Sequence, residues 1–190
     1  MSTARQITTK KLIMTGMFTS IISVMSQIII PIQPIPFSLS FLAIFLTGFL
    51  LEPKYAFLST LTYILLGAFG LPVFAGLKGG LHVLTGMTGG FIVAYPIMAL
   101  ITSISYQLSL RIKSTVFNKN IYRIVIQTFG MIISILICYL MGTLWFSYTS
   151  GATIAYSISV CVVPFIAFDL LKILLAVFFG SVLRKVTDKI

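Results

Sequence analysis

The chain has 190 residues, of which 58% are hydrophobic and only 8% are charged, with a formal net charge of +10. A soluble domain carries about 25% charged residues. The 13 basic and three acidic side chains of this chain are too few to cover a water-facing surface. The composition therefore excludes soluble, disordered and disulfide-stapled proteins, and with them a soluble nucleic-acid binder. It predicts an integral membrane protein.

Six apolar stretches lie between the charged residues, and each is a candidate membrane-spanning helix. A helix needs about 20 apolar residues, at ~1.5 Å rise each, to cross ~30 Å of hydrocarbon. The second stretch is short for a span. The sixth is too long for one, and Pro164 predicts a break or kink inside it. The stretches are Leu12–Ile30, Phe37–Leu51, Tyr55–Leu71, Phe91–Leu110, Ile124–Leu144 and Ile154–Leu183.

Basic residues are distributed unequally between the two sides of such a bundle. Lys and Arg accumulate on the cytoplasmic side of membrane proteins. With the N-terminus inside, 11 of the 13 basic residues fall on the cytoplasmic side, Lys78 alone falls outside, and Lys172 sits within the last span. We therefore predict an all-α membrane protein, a six-transmembrane-helix bundle with both termini cytoplasmic. We expect residues 1–190 to form a single transmembrane domain without a cleavable signal peptide.

Two connections on the predicted extracellular side have an unusual composition. Residues 31–36 contain three prolines, which predicts a stiff, extended segment. The second connection, from Gly70 to Gly90, is rich in glycine and also apolar, so its backbone can approach a ligand closely. Non-helical backbone at membrane depth is tolerated only where protein or a cavity surrounds it. We interpret this structured loop as a ligand lid, with a plain packing loop as the alternative.

Asp169 and Lys172 are charged residues whose placement inside a membrane has a high free-energy cost. They lie three residues apart in an apolar run, so a helix places both on one face. Asp169 precedes Arg184 by 15 residues, which puts it about 22 Å from the inner membrane edge. Either charge alone costs about 2.5–3.5 kcal/mol at mid-bilayer. We therefore predict that the pair binds a small, mostly apolar ligand that carries both a donor and an acceptor group. The alternatives are a structural ion pair between the sixth helix and its neighbours, and a proton relay, which would usually need more than one acidic group.

Other candidate sites receive weaker support. Cys138 and Cys161 lie within apolar stretches and are interpreted as small core residues. His82 has no acidic residue or cysteine near it, so no metal site is predicted. Gly16 and Ser20 form a small-xxx-small pattern, which lets another helix approach closely.

A series of motifs follows in order along nearly the whole chain. The motifs are Ile30-Pro31 and Pro34-Ile35-Pro36; LLGAFGLPVFAG from Leu65 to Gly76; Gly79-Gly80; Thr88-Gly89-Gly90-Phe91; Gly142-Thr143-Leu144-Trp145; and Pro164-Phe165 followed by Asp169 and Lys172. With these motifs the chain resembles the BioY family, the biotin-specific substrate-binding (S) components of energy-coupling factor (ECF) transporters. Two departures from the family pattern are Met87, where Pro is common, and Ser40, where Gln is common.

The resemblance implies a bundle that binds biotin near its extracellular side, under loops that include the glycine-rich one. The ureido N–H groups of biotin can donate to Asp169, and either the ureido carbonyl or the carboxylate can accept from Lys172. No catalytic residue and no cofactor is implied, so the chain is not expected to be an enzyme. The predicted substrate-binding residues are Asp169, Lys172, Phe74, Ala75, Gly76, Gly79, Gly80, Ser40 and Trp145.

The resemblance also implies partners in the membrane. Gly16 and Ser20 are expected to dock onto a transmembrane coupling subunit, although Ala at both positions is the usual pattern. Two ATPase subunits would bind the ATP, in keeping with the lack of a phosphate-loop motif in this sequence. The expected location is the bacterial plasma membrane, in contact with lipid and not with nucleic acid.

Two other functions remain open from the sequence. One is an S component for a different small vitamin. The other is a non-transporting intramembrane scaffold or hydrolase. A hydrolase needs a nucleophile and base, or metal ligands, at bilayer depth, and this sequence offers neither convincingly.

Overall fold

The computed structural model describes residues 2–30, 35–111 and 119–187, which form helices and one short antiparallel hairpin. Residues 31–34 of the predicted stiff segment lie outside this part of the chain. The hairpin pairs Ile29 with Ser38 and Ile30 with Phe37. The elements are α1 (Ser2–Met25), β1 (Ile29–Ile30), β2 (Phe37–Ser38), α2 (Ser40–Leu50), α3 (Pro53–Ala68), α4 (Leu81–Thr85), α5 (Gly89–Arg111), α6 (Lys119–Ser150), α7 (Ile154–Cys161) and α8 (Ile166–Thr187).

The helices follow the predicted apolar stretches closely. Five stretches correspond to one helix each: α1, α2, α3, α5 and α6. The sixth is divided, because α7 ends at Cys161 and α8 begins at Ile166. Pro164 lies in the turn between them, which confirms the predicted break. The short helix α4 and the hairpin are additions that the apolar pattern does not predict.

Three helices in the described ranges are long and apolar enough, by length and composition alone, to cross a membrane. They lie in α5, α6 and α8, with spans of Gly89–Arg111, Ile121–Ser150 and Ile166–Arg184. The other long segments, α1 and α3, carry more polar residues or are shorter. The finding agrees with a helical membrane protein.

Helix α2 occupies the centre of the bundle. It packs against α1, α3, α5 and α8, and ten of its 11 residues are buried. A helix that is apolar on every side is stable only when other elements surround it. Its N-terminal end follows β2 directly, so Phe37, Ser40 and Phe41 lie at the same end of the molecule.

Glycines allow neighbouring helices to pack closely around this centre. A Cβ atom on Gly48 of α2 would lie 2.7 Å from Cβ of Thr102 in α5, and one on Gly180 of α8 would lie 2.8 Å from the Phe49 ring. A Cβ on Gly142 of α6 would overlap the ring of Phe91 in α5. Small residues at such contacts are typical of helices that associate within a membrane.

Helix α1 has one face in the bundle and one face outside it. On the inner face, Thr19 Oγ1 donates to the main-chain oxygen of Ser59 at 3.0 Å, and Ser59 Oγ donates to that of Thr15 at 3.1 Å. On the outer face, Gly16 and Ser20 are exposed. A side chain at Gly16 would meet no atom within 4 Å.

Candidate ligand-binding site

A partly enclosed cavity lies among α2, α3, α5, α6 and α8, next to the glycine-rich loop. In the structure this loop comprises residues 69–88, between the end of α3 and the start of α5, and it contains α4. Aromatic side chains form much of the cavity lining, with a few polar groups among them. This composition is typical of sites that bind small organic molecules. Its aromatic lining includes Phe37 of β2, Phe41 of α2, Tyr63 of α3, Phe74 of the glycine-rich loop, Tyr95 of α5 and Phe165, just before α8.

Asp169 and Lys172 form a buried ion pair in the cavity lining. Lys172 Nζ donates to Asp169 Oδ1 at 2.8 Å, and the two residues are 4% and 3% exposed. Tyr139 of α6 donates its hydroxyl proton to the other carboxylate oxygen, Oδ2, at 2.5 Å. A carboxylate offers about four lone-pair positions. Asp169 can therefore accept further N–H donors from a ligand while it keeps both protein contacts.

The break at Pro164 places the carboxylate of Asp169 at the start of a helix. Because α8 starts at Ile166, Asp169 falls in its first turn, and the Asp169 N–H donates to the oxygen of Phe165 at 2.8 Å. The unpaired N–H groups at a helix N-terminus create a positive potential that favours an anion. Lys172 follows one turn later on the same face, as the spacing predicts.

Two phenylalanine rings surround the ammonium group of Lys172. Its Nζ lies 3.9 Å from the ring centroid of Phe37 and 5.0 Å from that of Phe41. Such cation–π contacts are strongest where water is excluded. Phe37 is itself held in place by Phe165 and Phe168, with ring centroids 6.3 Å and 4.9 Å away. The cation is therefore fixed by one carboxylate and a group of aromatic rings.

Ser40 lies in the cavity lining within a chain of hydroxyl groups. Its Oγ is 2.6 Å from Ser38 Oγ and 3.3 Å from the hydroxyl of Tyr95. The position predicted from the resemblance thus borders the cavity. It contributes a short hydroxyl group there, whereas Gln would extend further into the space.

The glycine-rich loop contributes Phe74 and Ala75 to the cavity. Phe74 is only 1% exposed and packs edge-on against Tyr63, with ring centroids 5.5 Å apart. The main chains of Phe74 and Lys78 exchange hydrogen bonds of 2.9 and 3.2 Å, which closes a tight turn. The loop therefore inserts one aromatic anchor beside the cavity.

Side chains that follow α1 hold this loop from one side. Ser26 Oγ and Gln27 Nε2 both donate to the oxygen of Val73, at 2.7 and 2.9 Å, and Gln27 Nε2 lies 3.5 Å from the oxygen of Pro72. Gln27 Oε1 accepts from the main-chain N–H of Leu77 at 2.8 Å. The loop is thus tied to the end of the first helix by three hydrogen bonds, two to the oxygen of Val73 and one from the N–H of Leu77.

The other predicted substrate-binding residues shape the loop and do not line the cavity. Gly76 and Gly80 adopt positive φ angles of +77° and +102°, and a Cβ on Gly79 would overlap main-chain atoms of the same loop. Trp145 Nε1 donates to the oxygen of Gly86 at 2.9 Å and so ties the loop to α6. A direct role of these four predicted residues in ligand binding stays a prediction.

Sequence reasoning did not identify Tyr139 or the rings around Lys172. The hydroxyl of a tyrosine inside an apolar stretch needs a hydrogen-bond partner, and this requirement could have suggested that Tyr139 contacts a buried polar group. Phe37 and Phe41 resemble any other apolar residues in sequence. Among the described residues, no group of three or more His, Cys, Asp or Glu side chains is arranged to hold a metal ion.

Comparison with known proteins links this architecture to one family. The model of the BioY family matches residues 1–189 of the chain. The probable biotin transporter BioY of Pyrococcus horikoshii is 33% identical over 92% of this chain and 96% of its own length. The biotin transporter BioY of Thermotoga maritima is 34% identical over 93% of this chain and 96% of its own length.

A solved structure has the same fold. The crystal structure at 2.1 Å of the S-component for biotin from an ECF-type ABC transporter superimposes with a TM-score of 0.80 and 27% sequence identity. The match covers 97% of this chain and 95% of the other. Family match, relatives and fold agree over nearly the full length, and the chain belongs to the BioY family.

Proposed function

We propose that this chain is the membrane-embedded, high-affinity biotin-binding subunit of an ECF-type ABC transporter and serves biotin uptake. The observation that carries the proposal is the buried Asp169–Lys172 pair, held by Tyr139, in a cavity lined by aromatic rings. An apolar pair of similar size would stabilise the bundle at least as well. The charged pair therefore supports a role in binding a ligand.

Biotin fits the chemistry of this cavity. Its ureido group has two N–H donors and one carbonyl acceptor, which match the carboxylate of Asp169 and the ammonium of Lys172. Its thioether ring and aliphatic chain are apolar and suit the rings of Phe41, Tyr63 and Phe74. The protein is a binding subunit, not an enzyme, and the glycine-rich loop acts as a lid over the ligand.

The proposed topology has six membrane crossings with both termini in the cytoplasm. The crossings are α1, α2 with its preceding hairpin, α3, α5, α6, and α7 together with α8. The basic residues support this orientation, because the opposite one would place nearly all of them outside the cell. Asp169 then lies in the outer part of the cell membrane, where the cavity can receive a ligand from outside.

The proposed partners are a transmembrane coupling subunit and two ATPase subunits. The exposed face of α1 around Gly16 and Ser20 supports docking, since no atom of the described residues lies within 4 Å of a Cβ placed on Gly16. Ser20 Oγ donates to the oxygen of Gly16 at 3.1 Å, so its hydroxyl is satisfied within the helix. A partner helix can therefore approach closely at low cost.

Purified protein in lipid nanodiscs is expected to bind radiolabelled biotin at a single site. A large excess of thiamine, riboflavin or pantothenate should leave the bound biotin unchanged, because none of them carries a ring urea with two N–H donors. Displacement by one of these vitamins would favour the alternative of an S component for another ligand. Chemical turnover of a candidate substrate without partners would instead favour the intramembrane hydrolase.

The double change Gly16→Leu with Ser20→Leu is expected to abolish co-purification with the coupling subunit and to leave biotin binding intact. The larger side chains would keep a partner helix at a distance, and they lie outside the cavity. Ala155 and Ser159 offer a matched control, since they are exposed and four residues apart on α7. Loss of the complex in both double variants would argue against a docking role specific to α1.

A further inference from the structure

The cavity contains one more cation than its buried ion pair requires. Within the described parts of the chain, three charged side chains line it: Asp169, Lys172 and Lys78. The first two are 2.8 Å apart, so their charges offset one another. Of the acidic residues in the described ranges, Glu52 pairs with Lys11 at 2.7 Å and Asp169 with Lys172. Lys78 therefore brings a positive charge to the cavity with no carboxylate from these residues beside it.

Lys78 lies at the exposed side of the cavity and the ion pair at its buried side. Lys78 is exposed to solvent, whereas Asp169 and Lys172 are nearly inaccessible. The main-chain bonds between Phe74 and Lys78 place the lysine one tight turn away from a buried aromatic anchor. Leu77, inside this turn, has a φ of +56°, which a residue with a side chain rarely adopts.

The tight turn limits where the lysine can reach. Because Phe74 is fixed in the cavity wall, the Cα of Lys78 has a defined position at the mouth, and only its flexible side chain can move. A lysine ammonium is a compact charge with three donors on a flexible stem. It can meet an anionic group at the mouth of the cavity while Lys172 stays with Asp169.

We infer that Lys78 recognises the free carboxylate of the ligand and makes the site selective for an anion. The inference rests on the proposed function and deepens it. It assigns the ureido carbonyl to Lys172 and the carboxylate to Lys78, so that the two cations bind opposite ends of one elongated molecule. A ligand with one negative charge then balances the single excess positive charge of the cavity.

The test compares biotin with biotinamide, in which a neutral amide of nearly the same size replaces the carboxylate. In Lys78→Gln, we expect biotin binding to weaken about two- to fivefold, the range typical of an exposed charge pair, and biotinamide binding to stay unchanged. Lys78→Arg should retain the preference for biotin. Lys54→Gln is the matched control, because Lys54 is exposed in the first turn of α3 and does not line the cavity.

Three outcomes would overturn the inference. Equal loss for biotin and biotinamide would mean that Lys78 only shapes the loop. No loss for either ligand would mean that it does not reach the carboxylate. A preference for biotin that raised salt does not reduce would also exclude an exposed charge contact. If the unmodified protein binds neither ligand, the proposed function itself fails, and the two failures are thereby distinguished.

Discussion

Replacing Asp169 by asparagine is expected to weaken biotin binding by about 100-fold or more, because it removes the charge and leaves Lys172 unpaired in a dry site. Asparagine has nearly the same size, so the loss comes from electrostatics and not from shape. Its amide also presents N–H groups where the ureido ring presents its own. Isothermal titration of the purified variant measures the effect.

Two further variants separate the roles within this cluster. Tyr139→Phe deletes only the hydroxyl that donates to Asp169 Oδ2, so a smaller loss of about tenfold is expected, the value of one hydrogen bond to a charged group. Lys172→Ala should weaken binding as strongly as Asp169→Asn. Thermal unfolding of each variant shows whether the bundle is intact. Unchanged biotin affinity in both Asp169→Asn and Lys172→Ala would remove the site proposed here.

A single added methyl group at Gly67 is also expected to impair biotin binding, at a position that holds no polar group. A Cβ there would overlap the ring of Phe74. The ring is buried, packs against Tyr63 and borders the cavity, so a displaced ring would enter the space that the ligand needs. Overpacking of this kind costs about 1–3 kcal/mol. Gly67→Ala should therefore displace Phe74, move the glycine-rich loop, and weaken biotin binding about tenfold or more.

Gly16 provides the matched control for this prediction. It also lies within a helix, and a Cβ there meets no atom within 4 Å. Gly16→Ala should therefore leave both biotin affinity and thermal stability at or above the original values. Adding Phe74→Leu to Gly67→Ala should relieve the overlap and restore part of the stability. Normal biotin affinity in Gly67→Ala would show that the position of Phe74 does not matter for binding.

The sequence was sufficient to predict the effect of residues that are unusual in their local surroundings. Asp169 and Lys172 stand out because charges are rare in an apolar run, and Pro164 stands out because it cannot continue a helix. Both predictions agree with the structure: the charged residues line the cavity together, and the helix breaks at the proline. The apolar stretches also located the ends of the long helices to within about six residues, except that α1 begins at Ser2, well before the predicted start at Leu12.

Contacts between distant parts of the chain could not be read in the same way. Tyr139 is 30 residues from Asp169 in sequence, and its hydroxyl could have met many other partners. Phe37 and Phe41 gain their role only when α8 places Lys172 beside them. Glycine marks where a backbone turns or is approached closely, but not what approaches it. The glycine pattern therefore indicated a structured loop without identifying which residues face the cavity.

The three hydrogen bonds that join Ser26 and Gln27 to the glycine-rich loop link this loop mechanically to α1. The helix ends just before these residues and carries Gly16 and Ser20, about two turns away, on its exposed face. If α1 tilts as a rigid body, either the glycine-rich loop moves with it or these hydrogen bonds break. A displacement of α1 near Gly16 and Ser20 is therefore expected to reach the glycine-rich loop beside the cavity without involving Asp169 and Lys172.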